Sequence, residues 1–220
     1  SKENFLWVSN QQAHDLMQQG MLPPKTGDPA HNPHFDMIDA QLTTEIFGLL
    51  APARPDIALK IATLPIQTTA RENAQWASEF YIIMHSLASY VDPSLSNKQQ
   101  VMWLAQQART RLPQSSYSAH MYDFVMSQHK AGKPWEKVRD ALHQRYQVEQ
   151  QDGYNITAKN LYCNGCFASG INFAASLVSV FFALGNGSVW AKTRAITRST
   201  FPSTTVATLS KAIEEIAAAV

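Results

Sequence analysis

Apolar residues recur at three- and four-residue steps along most of the chain, and the clearest run is Glu72 to Val91. There Trp76, Phe80, Ile83, Leu87 and Tyr90 or Val91 fall on one face of an α-helix. An aromatic stripe at that spacing packs into a core, and Asp92-Pro93 stops the helix. Ser9 or Asn10 is placed to cap a short helix ending before Gly20. Pro55 opens a helix in which Ile57, Ile61 and Leu64 form a stripe expected to be buried, with Pro65 ending it. Ser96 caps a helix carrying Val101, Leu104, Ala105 and Ala108, closed by Pro113. Another, from about Ser118, carries Met121, Phe124 and Val125 and ends at Gly132. Pro134 opens one with Trp135, Val138, Leu142 and Tyr146, whose Glu136, Lys137, Arg139, Asp140 and Arg145 read as a solvated face. Gln147 to Asn160 is polar and reads as a loop.

Asp36 to Ala51 reads as a further helix with two faces. Ile38, Leu42, Ile46 and Leu49 form an apolar stripe. Gln41 and Glu45 lie four apart on another face, with Asp39 and Thr43 four apart beside them. That second row is either a solvated polar face or a wall of hydrogen-bonding groups turned to a pocket. Residues 21–34 before it hold four prolines and a glycine and read as a loop, long enough to rim a site.

Asn160 to Trp190 contains no charged residue. Its centre, Phe167 to Leu184, is long enough to suggest a membrane span. Ser169, Gly170, Asn172, Ser176 and Ser179 within it, and the lack of a flanking basic cluster, favour a helix enclosed by other helices instead. Period-two alternation is confined to Asn4–Val8, so no sheet is expected. From Lys192 to Thr208 the composition shifts to Thr, Ser and Arg, and an amphipathic helix over Thr205–Ala219 is expected after it.

With 220 residues, 45% of them hydrophobic, the chain suits one sizeable domain. Eighteen basic against 17 acidic side chains give a formal charge of +1, which creates no long-range field for nucleic acid. No charged segment leading into an apolar run marks a signal peptide, and Ser1 in place of Met fits a processed or excised piece. Cys163 and Cys166 form a Cys-Asn-Gly-Cys pair. With no second cysteine pair to complete a zinc site and no βαβ context for a redox motif, two ordinary thiols in a reducing cytoplasm are expected. His31 and His34 stand three apart in a loop, a spacing that fixes no metal geometry there.

Three blocks carry a family resemblance: Ile38-Asp39-Ala40-Gln41, Glu45-Ile46-Phe47-Gly48 followed by Ala51-Pro52, and Thr68 to Trp76. In order and spacing they resemble the ADP-ribosylglycohydrolase family, over roughly Asn32 to Leu184. The resemblance implies an all-α bundle of roughly eight or nine helices. Residues 1–34 would supply a short helix and a Pro-rich loop, 35–220 a single domain, and 188–220 a divergent tail. It implies hydrolysis of the glycosidic bond of ADP-ribosyl groups, with two magnesium ions held by carboxylates, and an ADP-ribosyl compound or ADP-ribosylated protein as partner. Gln41 and Glu45 would face the site. Arg71, Glu72 and Asn73 would lie on a second polar loop beside it, with Arg71 on a phosphate. For Arg71 and Glu72 a charge pair at a helix start is the alternative.

The chain departs from the family where the metal ligands should be. No Asp-Asp pair occurs, and at the family's C-terminal Asp-x-Asp the spacing falls on Thr200-Phe201-Pro202-Ser203-Thr204. Neutral hydroxyls do not replace two anionic ligands of a strongly hydrated dication. The metal site of the family is therefore not expected to form in this chain alone. Three states fit that departure: a piece whose other ligands lie elsewhere, a non-catalytic relative that keeps the fold, or a family-like chain with a foreign end after Gly185, as a frameshift would make. The rival is a helical interaction module without a ligand.

Overall fold

The structure, a computed structural model, describes residues 6–155 and 167–183. The fold is all-α, a multi-helix bundle, and no strand occurs among the described residues, where Met37 and Ala168 form an isolated bridge. In order come α1 (Val8–Gln18), α2 (Asp39–Thr43), α3 (Ile46–Leu50), α4 (Pro55–Gln67) and α5 (Glu72–Leu87). Then follow α6 (Asn97–Arg109), α7 (Tyr117–Lys130), α8 (Trp135–Leu142), which continues as a π-helical turn over His143–Val148, and α9 (Ser169–Ala183). Cys163 and Cys166, the Thr200–Thr204 segment and the helix expected over Thr205–Ala219 lie outside the described residues.

Two helices form the inside. On α5 nearly every residue from Asn73 to Ser86 is buried, and on α9 the same holds from Ser169 to Phe181. Phe80 and Tyr81 of α5 meet Phe173 of α9 edge-on, with ring centroids 5.1 and 5.8 Å apart, and Tyr122 of α7 meets Phe181 at 5.9 Å. Each such ring removed from water stabilises the fold by roughly 1.5–3 kcal/mol, and each edge contact adds about 0.5–1.5 kcal/mol. α6, α7 and α8 close one side of this core, while α2, α3 and α4 lie on the opposite side of α5 over Ala70, Ala74 and Ile82. The described part of the charge-free stretch, α9, is thus the enclosed helix its small and polar residues suggest. No helix among the described residues is long and apolar enough to cross a membrane.

Caps behave locally as their sequences dictate. Ser96 and Gln99 form a reciprocal capping box on α6, and Ser116 caps α7 through the Ala119 amide. α1 begins at Val8, one or two residues before the expected cap, with Trp7 at the boundary. Pro65 lies inside α4, which runs on to Gln67, so it does not end that helix.

One apolar stripe, and the second half of another whose Ile38 is buried as expected, are turned the other way from expectation. The helix expected over Asp36–Ala51 is broken into α2 and α3 at Thr44 and Glu45. Thr43 and Thr44 return their hydroxyls to the carbonyls of Asp39 and Ala40, at 3.0 and 2.6 Å, which competes with continuation of the helix. Past the break Ile46 and Leu49 are about half exposed, whereas Asp39, Gln41 and Thr44 are buried. On α4 the buried row is Ala58, Ala62 and Ile66, and Ile57, Ile61 and Leu64 face outward. Close approach explains the choice. A Cβ on Gly48 would stand 2.5 Å from the Ile82 carbonyl oxygen, so α3 meets α5 backbone to backbone, and only small residues admit that.

The Pro-rich segment is tied down rather than free. Thr26 donates to the Thr68 carbonyl at 2.8 Å, and the Asn32 amide donates to the carbonyls of Ser9 and Thr26.

Candidate functional site

The first turn of α9 gathers polar groups from four elements. The Ser169 N–H donates to the Asp36 carbonyl at 3.0 Å, and the Ser169 hydroxyl accepts from the Gln41 side-chain amide. Gln41 is fully buried, and its Oε1 has no hydrogen-bond partner. One turn further along the chain the Glu45 Oε1 is likewise sealed and without a partner. Burial pushes the Glu45 carboxyl up to about 7.

From the opposite side α5 contributes Tyr81 and His85, four residues apart on one face. The Tyr81 hydroxyl pairs with the Ser176 hydroxyl of α9. Burial holds the Tyr81 phenol far up, and the Glu45 charge adds to that. His85 is buried with its Nε2 unpartnered, and burial pulls it down to about 4, so the ring is neutral at ordinary pH. α9 answers with Ser169, Asn172, Ser176 and Ser179 at steps of three, four and three, one helical stripe. The α2–α3 wall, the Tyr81–His85 face of α5 and this stripe form a polar seam through an otherwise apolar interior. Buried polar atoms are nearly always paired. Among the described residues, Gln41 Oε1, Glu45 Oε1 and His85 Nε2 are buried on this side of the molecule without a protein hydrogen-bond partner.

Asp36 adds a second ionisable centre at the start of α5. Its carboxyl accepts from the Tyr117 hydroxyl, while Oδ1 is sealed without a partner. Burial raises it to about 7; the Glu72 charge pushes the same way, and the Tyr117 hydroxyl and the Ala74 amide oppose. Tyr154 lies edge-on to Tyr117 with centroids 5.1 Å apart, and both rings press on Gly170, where an added Cβ would stand 2.5 Å from Tyr117. Both phenols are driven up, mainly by burial, with the Asp36 charge adding to it. Gln41 and Asp36 therefore reach the same turn of α9 from two sides.

The five residues singled out from the sequence fall into two groups. Gln41 and Glu45 lie on the seam. Arg71 sits at the corner between α4 and α5 and spends its guanidinium on carbonyls: Gln67 and Ala70 at 2.8 Å each, and Pro24. Partial burial lowers it, and the Asp28 charge opposes that. Glu72 is exposed, opens α5 with φ of +50°, and acts here through its charge on Asp36 and Tyr117. Asn73 accepts from the Ser118 hydroxyl at 2.8 Å and the Ser118 amide at 3.2 Å, joining α5 to the first turn of α7. Sequence reasoning passed over Asp36, Tyr81, His85, Tyr117 and the serines of α9 as site residues. A helical step of polar residues inside a charge-free run was the available signal for the serines.

Among the described residues, no three of His, Cys, Asp and Glu stand together to hold a metal ion. Comparison of the chain with protein-family models, with curated proteins and with solved structures returns no match.

Proposed function

We propose that the chain is an ADP-ribosylglycohydrolase-like protein of the cytoplasm that binds an ADP-ribosyl group and is impaired in cleaving it. The observation that carries this reading is the seam itself. Gln41 and Glu45, the two residues the family resemblance turns toward substrate, are also the two α2–α3 side chains whose Oε1 atoms are buried and unpartnered. Buried acceptors left open cost about 1–3 kcal/mol each, and a ribose is a source of hydroxyl donors that would repay it. A Glu45 carboxyl held near neutrality accepts from such a hydroxyl when ionised and donates to an acceptor when protonated.

Magnesium does not fit the residues at hand. The described residues supply no three-ligand group, and the Thr200–Thr204 positions carry hydroxyls where the resemblance asks for carboxylates. The reading therefore contains no metal-dependent step. Arg71 is occupied by three carbonyls, so it is not offered as the phosphate group's partner.

Titration calorimetry of ADP-ribose into the folded protein, with and without magnesium, tests the proposal. Binding independent of magnesium that is lost in Glu45→Ala and retained in Glu72→Ala is the expected result. Absence of heat from protein of native circular dichroism would overturn it. It would leave a non-catalytic helical scaffold, the reading favoured by Arg71 and Asn73 spending their hydrogen bonds on the fold.

A further inference from the structure

α4 is amphipathic in an inverted sense. Its inner row is Ala58, Ala62 and Ile66, while Ile57, Ile61 and Leu64 stand outward at 40, 43 and 53% exposure. Beside it on α5, α3 turns Ile46, Leu49 and Leu50 outward at 52, 52 and 63%. Six large aliphatic side chains thus share the outer surface of two adjacent helices. The remaining exposed large apolar residues, among them Trp7, Leu22, Tyr90 and Val148, belong to other elements.

At roughly 200 Å² for a fully exposed Ile or Leu, these six present about 600 Å² of apolar surface, the upper end of what a monomer shows in one patch. A stable interface buries about 800 Å² on each partner, about 65% of it apolar in homodimers. The face therefore supplies by itself the apolar core of one side of a dimer. Its chemistry also suits a copy of itself. Ile57, Ile61 and Leu64 step by four and three, the d–a–d rhythm of a helix seam that packs on another helix bearing the same rhythm. Aliphatic knobs without an aromatic or arginine anchor resemble a protein core cut in two, the character of permanent homodimers. Polar groups bound the face: the exposed Arg54–Asp56 pair at the N-terminal end of α4, and Lys60 and Thr63 along it.

We propose that the outer face of α3 and α4 is a self-association surface, covered by the same face of a second copy across a two-fold axis. A two-fold axis makes the contact self-complementary and closes it at two copies.

Sedimentation of the full chain from about 1 to 100 μM, beside the double variant Ile61→Lys/Leu64→Lys, tests this. The expected result is a dimer mass for the native chain. In the variant the dimer dissociation constant is raised by at least ~100-fold, with helicity and melting of the dissociated species unchanged. Ile46→Lys, on the neighbouring helix, weakens the dimer by itself. A native chain that stays monomeric at 100 μM overturns the proposal. So does a dimer that both variants leave intact, which would place the contact elsewhere. A monomer whose melting temperature falls in Ile61→Lys/Leu64→Lys also overturns it, by showing that the chain covers this face with a segment of its own.

Discussion

Replacing Glu45 by Gln should stabilise the protein at alkaline pH and leave it unchanged in acid. The Glu45 carboxyl titrates near 7 in the fold because burial disfavours its charge, against an ordinary value near 4.5. At 1.36 kcal/mol per pH unit that difference costs the ionised, folded form about 3 kcal/mol. The folded state holds the proton more tightly than the unfolded state, so unfolding releases it and stability falls as pH rises. Below about pH 4.5 both states are protonated and the cost is absent. It accrues between 4.5 and 7 and is complete above 7. The substituted glutamine side chain is uncharged throughout and nearly isosteric. Urea denaturation followed by circular dichroism should give equal stabilities at pH 4.5 and a gain of up to about 3 kcal/mol for Glu45→Gln at pH 8. Asp36 loses stability in the same window, while buried His85, pulled down to about 4, gains it between about 4 and 6.5, so the Glu45 contribution is read as the difference between the native chain and Glu45→Gln at each pH. A gain of equal size at both pH values, or a loss at pH 8, would refute the argument that Glu45 is buried without a counter-charge.

Gly48→Ala should cost at least about 3 kcal/mol or prevent folding, because its Cβ would meet the Ile82 carbonyl at 2.5 Å and the His85 Cβ at 2.6 Å; thermal melting measures this. Tyr117→Phe removes the donor to Asp36 and should lower stability by about 1–2 kcal/mol at pH 7. It also moves the Asp36 transition to higher pH, visible in a carboxyl-carbon NMR titration. Arg71→Ala frees the carbonyls of Pro24, Gln67 and Ala70; hydrogen exchange should rise in residues 21–34 and at the α4–α5 corner while α7 and α9 keep their protection.

Periodicity revealed that α4 is a helix but not which way it faces. Ile57, Ile61 and Leu64 make one good stripe, and Ala58, Ala62 and Ile66 make another. Hydrophobicity alone selects the larger residues for the interior. The outcome was decided by Ala70 at the α4–α5 corner and Ala74 on α5, which leave room only for small partners. The same tertiary condition put Gly48 inward and Ile46 and Leu49 outward, and it could not be read from α3 without knowing how closely α5 approaches. The break at Thr44–Glu45 was written in two adjacent β-branched hydroxyl residues, which offer the backbone alternative partners. The enclosed α9 was legible because it is apolar on nearly every side, so no choice of phase arises; α5 was legible as a helix from its Trp76, Phe80, Ile83 and Leu87 stripe, but burial also takes in its polar Glu79, His85 and Ser86. Gln41 and Glu45 were legible as a row four apart. That Gln41 would be buried against Ser169, 128 residues away, depended on a contact which local pattern does not encode. Arg71 and Asn73 drew attention as polar residues in a loop; their partners show that the same chemistry serves to fasten one helix to the next.

The enclosed position of α9 sets an order for the making of the protein. Asp36 and Gln41, Tyr81, and Tyr117 find their partners on a helix that begins at Ser169. At about 5–20 residues per second, roughly 7–30 s of synthesis separate Asp36 from Ala183. During that interval α5 can gather α2, α3 and α4 on one side and Tyr122 of α7 against Phe80, but the place that Phe173 takes between Phe80 and Tyr81 stays empty. The nascent chain therefore carries part of its most aromatic surface uncovered until nearly the last described residue has been added. A ribosome stalled short of Ser169 would present that gap to whatever chaperone or aggregating neighbour comes first.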